Sequence, residues 1–424
     1  MTDGVTDNIR RLGERAQSMI DALATISAEE GKLTRLYLSP EHKRAANLVG
    51  EWMRRAGLTV RMDAAATMHG FRAAGREGPR KPKRLLVGSH IDTVVDAGKY
   101  DGNLGVVAAV IAAEELRVRA IALPFELEVL AFGDEEGVRY PKTMISSSTI
   151  AGSVEANVLD MTDAQGMTMR AALAEFGADS SHLTAEAYHR ADVVGYLEVH
   201  IEQGPVLDQA GEALAVVSAI AGQTRFRASV RGEAGHAGTV PMAIRHDALA
   251  GAAEVISLIE AVGRRGAKAS LVATVGEIRV SPGASNVIPG AAEFSIDVRA
   301  ADDATRIAAA AEIRQGAKQI ALRRGLIFGM ETVHEKAVAV AAPRLKRPIA
   351  SAIADVTGKA PRELMSGAGH DGQTMIRLTD IGMIFVRCRA GISHNPLEFV
   401  SAADMGLAVE ALIRTIEKIA EENA

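Results

Sequence analysis

One cysteine, Cys388, stands in a chain of 424 residues, so no intrachain disulfide is available and a reducing compartment, the cytoplasm, is expected. No stretch approaches the roughly 18 consecutive apolar residues that a membrane span needs. The opening segment MTDGVTDNIRRLGERAQSMIDALATIS lacks the basic-then-apolar order of a signal peptide, and its spacing predicts an amphipathic helix. Neither sign of charge dominates: a net charge of −5 gives no footing for nucleic acid or a membrane surface. Internal repeats, low-complexity tracts and long linkers are absent too. What remains is an ordinary globular composition, 48% apolar and 24% charged. The length exceeds what one hydrophobic core usually serves, so two domains are expected.

The first 216 residues read as alternating helix and strand. A helix over Pro40 to Ala56 carries Ala46, Val49, Trp52 and Met53 at helical spacing. Arg84 to Ser89 is a short apolar run suited to a buried parallel strand, Gly105 to Leu116 an Ala-rich helix, and Phe125 to Phe132 a second strand closed by the acidic turn Gly133-Asp134-Glu135-Glu136-Gly137. This order predicts an α/β domain with a mostly parallel sheet, with ligands at the carboxyl ends of its strands. The style changes near Gly222. Thr224 to Arg231 alternates Phe226, Ala228 and Val230 with Arg225, Arg227, Ser229 and Arg231, as a half-solvated antiparallel strand does. A helix from Pro241 to about Val262, strands over Ser270 to Val280 and Ala291 to Arg299, and a helix from about Asp302 to Arg323 complete an inserted α+β sandwich. After about Ala337 the α/β style returns, with a strand at Met383 to Val386 and a closing helix from Ala402 to Ala420. The expected division is 1–216 with 337–424 for one domain and 217–336 for the other.

Five of the eleven histidines lie in Gly-, acid- or Ser-rich settings: His90 in GSHID, His200 in EVHIEQGP, His236 in AGHAGT, His370 in SGAGHDG and His394 in GISHNP. The other six, His42, His69, His182, His189, His246 and His334, have ordinary surroundings and receive no role. Any one histidine is more often structural than catalytic, and the turn GDEEGV alone could be a solvated loop. Together they offer what a hydrolytic Zn2+, Mn2+ or Co2+ centre needs. His90 and Asp92 are two apart in extended chain and share a face, which lets Asp92 accept the second ring N–H of His90. Asp101, in GKYDGNLG at a helix start, is placed to bridge two cations about 3.5–4 Å apart. Glu135 and Glu136 are adjacent in a turn and cannot serve one ion alike, so one ligates while the other acts as general base.

The ordered motifs GSHIDTVVDAGKYDGNLGV, FGDEEGVRY, GYLEVHIEQGPVL, GEAGHAGTVPM, SNVIPG, SGAGHDG and CRAGISHNPLE resemble the M20 metallopeptidase superfamily. More closely they resemble its amidohydrolase branch of allantoate amidohydrolases, N-carbamoyl-L-amino-acid hydrolases and β-ureidopropionases, from about Leu33 to the C-terminus. The resemblance implies two divalent ions per subunit, of Mn2+, Zn2+, Co2+ or Ni2+. His90 and His200 would hold one, Glu136 and His394 the other, and Asp101 would bridge. Glu135 matches the general base and Asp92 the outer carboxylate. Peptidase branches generally place Asp or Glu where this chain has His200, which shifts the expectation to ureido or carbamoyl C–N hydrolysis. The family often has a cis peptide after the bridging aspartate, here Asp101-Gly102.

The resemblance also makes the inserted domain a lid and a homodimerisation module. His236 matches an oxyanion-stabilising lid histidine, with a loop-capping role as its bland alternative. Asn286 and Arg299 match holders of a substrate carboxylate, although Arg299 could instead pair with Asp297. Gln223 matches a recognition position, and His370 with the backbone from Gly367 to Gly369 a further substrate loop. AGQTR, DAGKYDG and DEEGVRY look most like allantoate deiminases, with N-carbamoyl-L-amino-acid hydrolase or β-ureidopropionase as the alternative. Two departures from the family pattern touch no ligand but could alter the pocket wall: Ala66-Thr67 where Gly-Asn is frequent, and Gly372 where Ala is usual. A non-catalytic binding protein on the same fold is the rival of a different class, and the full set of ligands with Glu135 counts against it.

Overall fold

A computed structural model describes residues 3–75 and 81–423. The chain forms two compact units: Met1–Ser218 with Ala341–Ala424, and Ala219–Val340. The opening segment, apart from its first two residues, which lie outside the described ones, is helix α1 as far as Ala24 (Asp3–Ala24). Helix α2 (Pro40–Arg55) begins at Ser39, whose side chain accepts from the His42 N–H, with Pro40 in the first turn, where a missing N–H costs nothing.

The sheet of the first unit is assembled from β1 (Thr59–Met62), β2 (Met68–Arg72), β3 (Arg84–His90), β4 (Glu126–Phe132), β5 (Val193–Ile201), the start of β6 (Leu214–Ile220) and a late strand, Ile381–Val386. Its order is β1, β2, β4, β3, β5, the late strand, β6, with a further strand, Arg362–Ser366, also paired with β6. Only the centre is parallel: β4 with β3, β3 with β5, and β5 with the late strand. Both flanks are antiparallel, β1 with β2 and β2 with β4 on one side, the late strand with β6 on the other. The expectation of a mostly parallel sheet is therefore corrected to a mixed one. The cause is local. The short turn 63–67 and the short segment 202–213 fold the chain directly back, which only antiparallel pairing allows.

The central strands are buried over nearly their whole length, as parallel strands covered on both faces must be. Helix α3 (Asn103–Val118) is buried on nearly every side. It packs on β3, β4 and β5, and against α1 and the closing helix Ala402–Glu422. An all-round apolar helix is stable only in such a sandwiched place.

In the second unit, Ile278–Ser281, Ala291–Ala300, Gly222–Arg231 and Ile327–Lys336 form an antiparallel sheet in that order. Helices Ala248–Gly266 and Asp303–Arg323 supply Val255, Ile259, Val262, Ile313 and Ala317 to a core with Phe226, Ala228, Val230, Phe294, Ile296 and Val298. Two expectations are corrected here. The first helix starts at Ala248, not Pro241, because the Asp247 side chain caps it by accepting from the Ala250 N–H. Ahead of it the chain makes a 3-10 turn at Met242–Ile244, and Arg245 bonds back to the Ala237 and Val240 carbonyls. The strand expected over Ser270 to Val280 is two, Val272–Thr274 and Ile278–Ser281. Their registers on Ala291–Ala300 differ by one residue, the mark of a bulge. Among the described residues no helix is long and apolar enough to cross a membrane.

Candidate active site

His90 ends β3, the acidic turn follows β4, and His200 lies one residue from the end of β5. Asp101 immediately precedes Gly102, the N-cap of α3. Gly102 has φ +64°, and a Cβ there would lie 2.4 Å from the His90 ring, so this position needs glycine on both counts. The Asp101–Gly102 peptide is trans; among the described residues the cis bond is Ser281–Pro282. Here the chain turns instead through the positive φ of Gly102.

These loops bring two groups of side chains together, His90–Asp101–His200 and Asp101–Glu136–His394, each with donor atoms within 4.8 Å of one another. Asp101 belongs to both. Its Oδ1 lies 3.1 Å from His200 Nε2 and 3.7 Å from His90 Nε2, while Oδ2 lies 3.3 Å from His394 Nε2. Glu136 Oε2 is 3.6 Å from that same nitrogen. His394 is the most open of the five, its side chain 50% exposed.

The ring tautomers follow from the partners. His200 Nδ1 faces the Ile201 carbonyl at 3.0 Å, and His90 Nδ1 faces the Asp92 carbonyl at 3.2 Å and its Oδ1 at 3.3 Å. Those oxygens only accept, so each Nδ1 carries the proton and each Nε2 offers a lone pair. The two Nε2 atoms face each other at 3.5 Å beside a carboxylate oxygen. Three lone pairs converging in a buried place require a positive charge among them, and the donor set fits a divalent cation. The titration behaviour states the same demand. Where no ion lies between them, the crowding has to be met by added protons: burial would raise Asp101, yet hydrogen bonds from His200, His394 and His90, each then protonated toward it, hold it well below the usual carboxylate range. Burial, then the Asp101 charge, pushes Glu136 up to about 8, and hydrogen bonding to Asp101 lifts His394 to about 9.

Asp92 serves from behind. Its Oδ1 accepts from the Glu135 N–H and its Oδ2 from the Glu136 N–H, at 3.1 Å each, which fixes the acidic turn against His90. Glu135 is raised by burial and by the negative charges of Asp92 and Asp101, partly offset by His90. A carboxylate held in this way is primed to take a proton.

His370 occupies a different place from the one expected. Its ring is fully buried, set edge-on against His200 with centroids 4.3 Å apart, and Nε2 lies 2.6 Å from Ser366 Oγ. Sealed under the site, the ring does not reach solvent, and only the loop backbone is open. Gly367 is exposed, and a Cβ on Gly369 would lie 3.4 Å from Glu135 Oε1. Of the departures, Ala66 holds φ +61°, the conformation a glycine adopts without strain, and Gly372 donates its N–H to Glu198 Oε2.

The remaining expected residues lie in the second unit. His236 is exposed, and its Nδ1 accepts from the Gly238 N–H at 3.0 Å. It does cap its loop, and the neutral ring then carries its proton outward on Nε2. Val287, next to Asn286, pairs with His236 in a short ladder, and the Asn286 carbonyl accepts from the Ala237 N–H. Arg299 is found in the alternative arrangement: Nε and Nη2 pair with Asp297 at 3.0 and 2.9 Å. Gln223 and Arg225 converge on the same carboxylate.

Several residues at the site escaped the sequence reading. Gln203 Nε2 and Ser393 Oγ donate to Asp101 Oδ2 at 2.8 and 2.9 Å. Gln203 sits inside HIEQGP, a signal that was available. Arg35 is fully buried and donates to the Ile91 carbonyl at 2.6 Å and to Asn103 Oδ1 at 2.7 Å, bracing both ligand loops. Burial lowers its pKa to about 10. Glu198 accepts from Ser89 and forms with His200 and His370 a further group, buried throughout.

The sequence profile of peptidase family M20/M25/M40 matches residues 86–418. An allantoate deiminase of Arabidopsis thaliana is 40% identical over 446 aligned residues, spanning 98% of this chain and 84% of that protein. An N-carbamoyl-L-amino-acid amidohydrolase of a Pseudomonas species is 37% identical, spanning 96% and 98%. The crystal structure of a hydantoinase/carbamoylase-family amidase from Burkholderia multivorans superposes with a TM-score of 0.88 at 30% identity, covering 96% of this chain and 98% of that one. With a profile match over most of its length and relatives this similar across nearly all of it, the chain belongs to peptidase family M20/M25/M40.

Proposed function

We propose that this protein hydrolyses a ureido C–N bond in a small carboxylate, with allantoate as substrate, using two divalent ions held by His90, Asp101, Glu136, His200 and His394. The observation that carries the reading is Asp101, whose two oxygens face two separate groups of donors. Divalent ions held in such groups would lower the pKa of a water and polarise a carbonyl. The chain's own residues supply the rest. Glu135, with its raised pKa, takes a proton from the attacking water and delivers it to the leaving nitrogen. His236 offers an Nε2–H donor suited to a developing oxyanion. Asn286, Gln223 and Arg299 hold the substrate carboxylate, and the second unit acts as lid and homodimer contact. Arg299 must then share its fork with, or release, Asp297. Relatives named allantoate deiminase, at 39–40% identity, favour allantoate. Relatives named N-carbamoyl-L-amino-acid amidohydrolase, at 34–37%, support the second reading, in which the substrate is a carbamoyl amino acid. Zn2+ or Mn2+ suits the mixed His and carboxylate donors, and the cytoplasm suits a chain with one buried free thiol.

The test is ammonia release by the Mn2+-supplemented protein from allantoate, N-carbamoyl-L-amino acids and N-carbamoyl-β-alanine, with dipeptide cleavage measured alongside. The highest kcat/KM is expected on allantoate. Preference for a carbamoyl amino acid selects the second reading, and cleavage of the dipeptide alone overturns both.

A further inference from the structure

The geometry points to Glu398 as a positioning residue that sets Asp101 between the two donor groups. Glu398 is buried and contributes to neither group. Its Oε1 accepts two successive backbone N–H groups, of Tyr100 at 2.8 Å and of Asp101 at 3.1 Å, while Oε2 makes no hydrogen bond. Paired N–H groups folded around one oxygen form a nest, and here the nest is the segment that carries the shared aspartate. The approach is close enough that a Cβ on Gly98 would lie 2.3 Å from the Glu398 side chain.

Glu398 also lies four residues after His394, in a turn closed by its own N–H on the Asn395 carbonyl. It therefore ties the loop bearing His394 to the loop bearing Asp101, across 297 residues of chain. Removing the tie frees the Asp101 backbone to shift. The carboxylate that serves both groups then no longer holds its place between them. One acceptor oxygen at the right reach is all the nest uses, so reach rather than charge is the property that matters.

The inference rests on the two-ion reading, and a paired substitution tests it. Glu398→Gln keeps the reach and loses the charge; Glu398→Asp keeps the charge and loses the reach. Divalent-ion uptake is measured on the full chain by dialysis against buffered Zn2+ and against buffered Mn2+, with melting followed in parallel. Wild type is expected to take up two ions. Glu398→Gln should stay within about threefold of wild-type affinity, and Glu398→Asp should bind the weaker ion at least about tenfold less tightly, the loss typical of an outer-shell change. Excess ion should restore occupancy in Glu398→Asp. Equal behaviour of the two variants, or a worse Gln than Asp, overturns the role given to Glu398. Uptake of fewer than two ions by wild type overturns the two-ion reading itself.

Discussion

Replacing Asp92 by asparagine changes one atom and should disable the site. Three donors converge on this carboxylate: the Glu135 and Glu136 N–H groups, 3.1 Å from separate oxygens, and His90 Nδ1, 3.3 Å from Oδ1. An amide has one accepting oxygen and one NH2. Whichever way it turns, one backbone N–H is left facing another donor, at about 1–3 kcal/mol for a buried unsatisfied group. If the NH2 lies beside His90, it competes with the Asp92 carbonyl for Nδ1 and draws the ring proton toward Nε2. That nitrogen faces Asp101 and His200 and is the one that would ligate in the proposed two-ion site. Outer-shell losses of this kind run to roughly 10–100-fold in ion affinity or activity. Ion uptake in buffered dialysis, and kcat with kcat/KM on the best ureido substrate, measure both consequences. Asp92→Asn within twofold of wild type in uptake and in rate would refute the tautomer argument.

The centre of the sheet could be read from the sequence because its strands are continuous apolar runs, and burial on both faces permits nothing else. The β1–β2 hairpin could not. Its turn, Asp63-Ala64-Ala65-Ala66-Thr67, has no glycine, proline or asparagine to announce it. The turn exists because Asp63 Oδ1 accepts from the Ala65 and Thr67 N–H groups, and Ala66 bears a positive φ. A single aspartate among alanines carries too little signal for that. The helix after Pro241 misled in the opposite way: its apolar spacing runs on past the proline, while the boundary is set by the Asp247 side chain.

At the site, the residues that stood out lie next to glycines and turns at strand ends, where a local pattern exposes them. Those missed act over long chain separations. Arg35, in the apolar stretch LTRLYLSP, looks like a surface arginine until the fold turns its guanidinium inward to carbonyls at Leu23, Ile26 and Ile91. Glu398 is one more acid at the end of the CRAGISHNPLE motif until Tyr100 and Asp101 close around it. His370 was overread. A histidine flanked by glycine suggests an open loop, yet its ring packs inward on His200 while the glycines take the exposed side.

Two further outcomes are expected. Glu135→Gln should take up both ions with wild-type affinity while kcat falls at least about 100-fold, as loss of a general base does; a near-wild-type rate would remove Glu135 from that role. The second concerns His69, which received no role from its surroundings. It lies buried between Asp63 Oδ2 at 3.1 Å and Glu128 Oε1 at 2.6 Å, with the Tyr188 hydroxyl donating to Glu128 and Arg84 Nη1 3.5 Å from its other oxygen. Burial alone would lower the His69 pKa, but hydrogen bonds to Asp63 and Glu128 raise it above the ordinary value. In the unfolded chain it returns to about 6.5. The stabilisation is therefore complete below that value and is lost as pH climbs through the raised folded value. Melting temperatures of wild type and His69→Gln, compared from about pH 6 to about pH 9, should differ most at the acid end and converge with rising pH. A gap that stays constant across the range would mean that His69 is neutral throughout, and that the Asp63 turn stands without its charge.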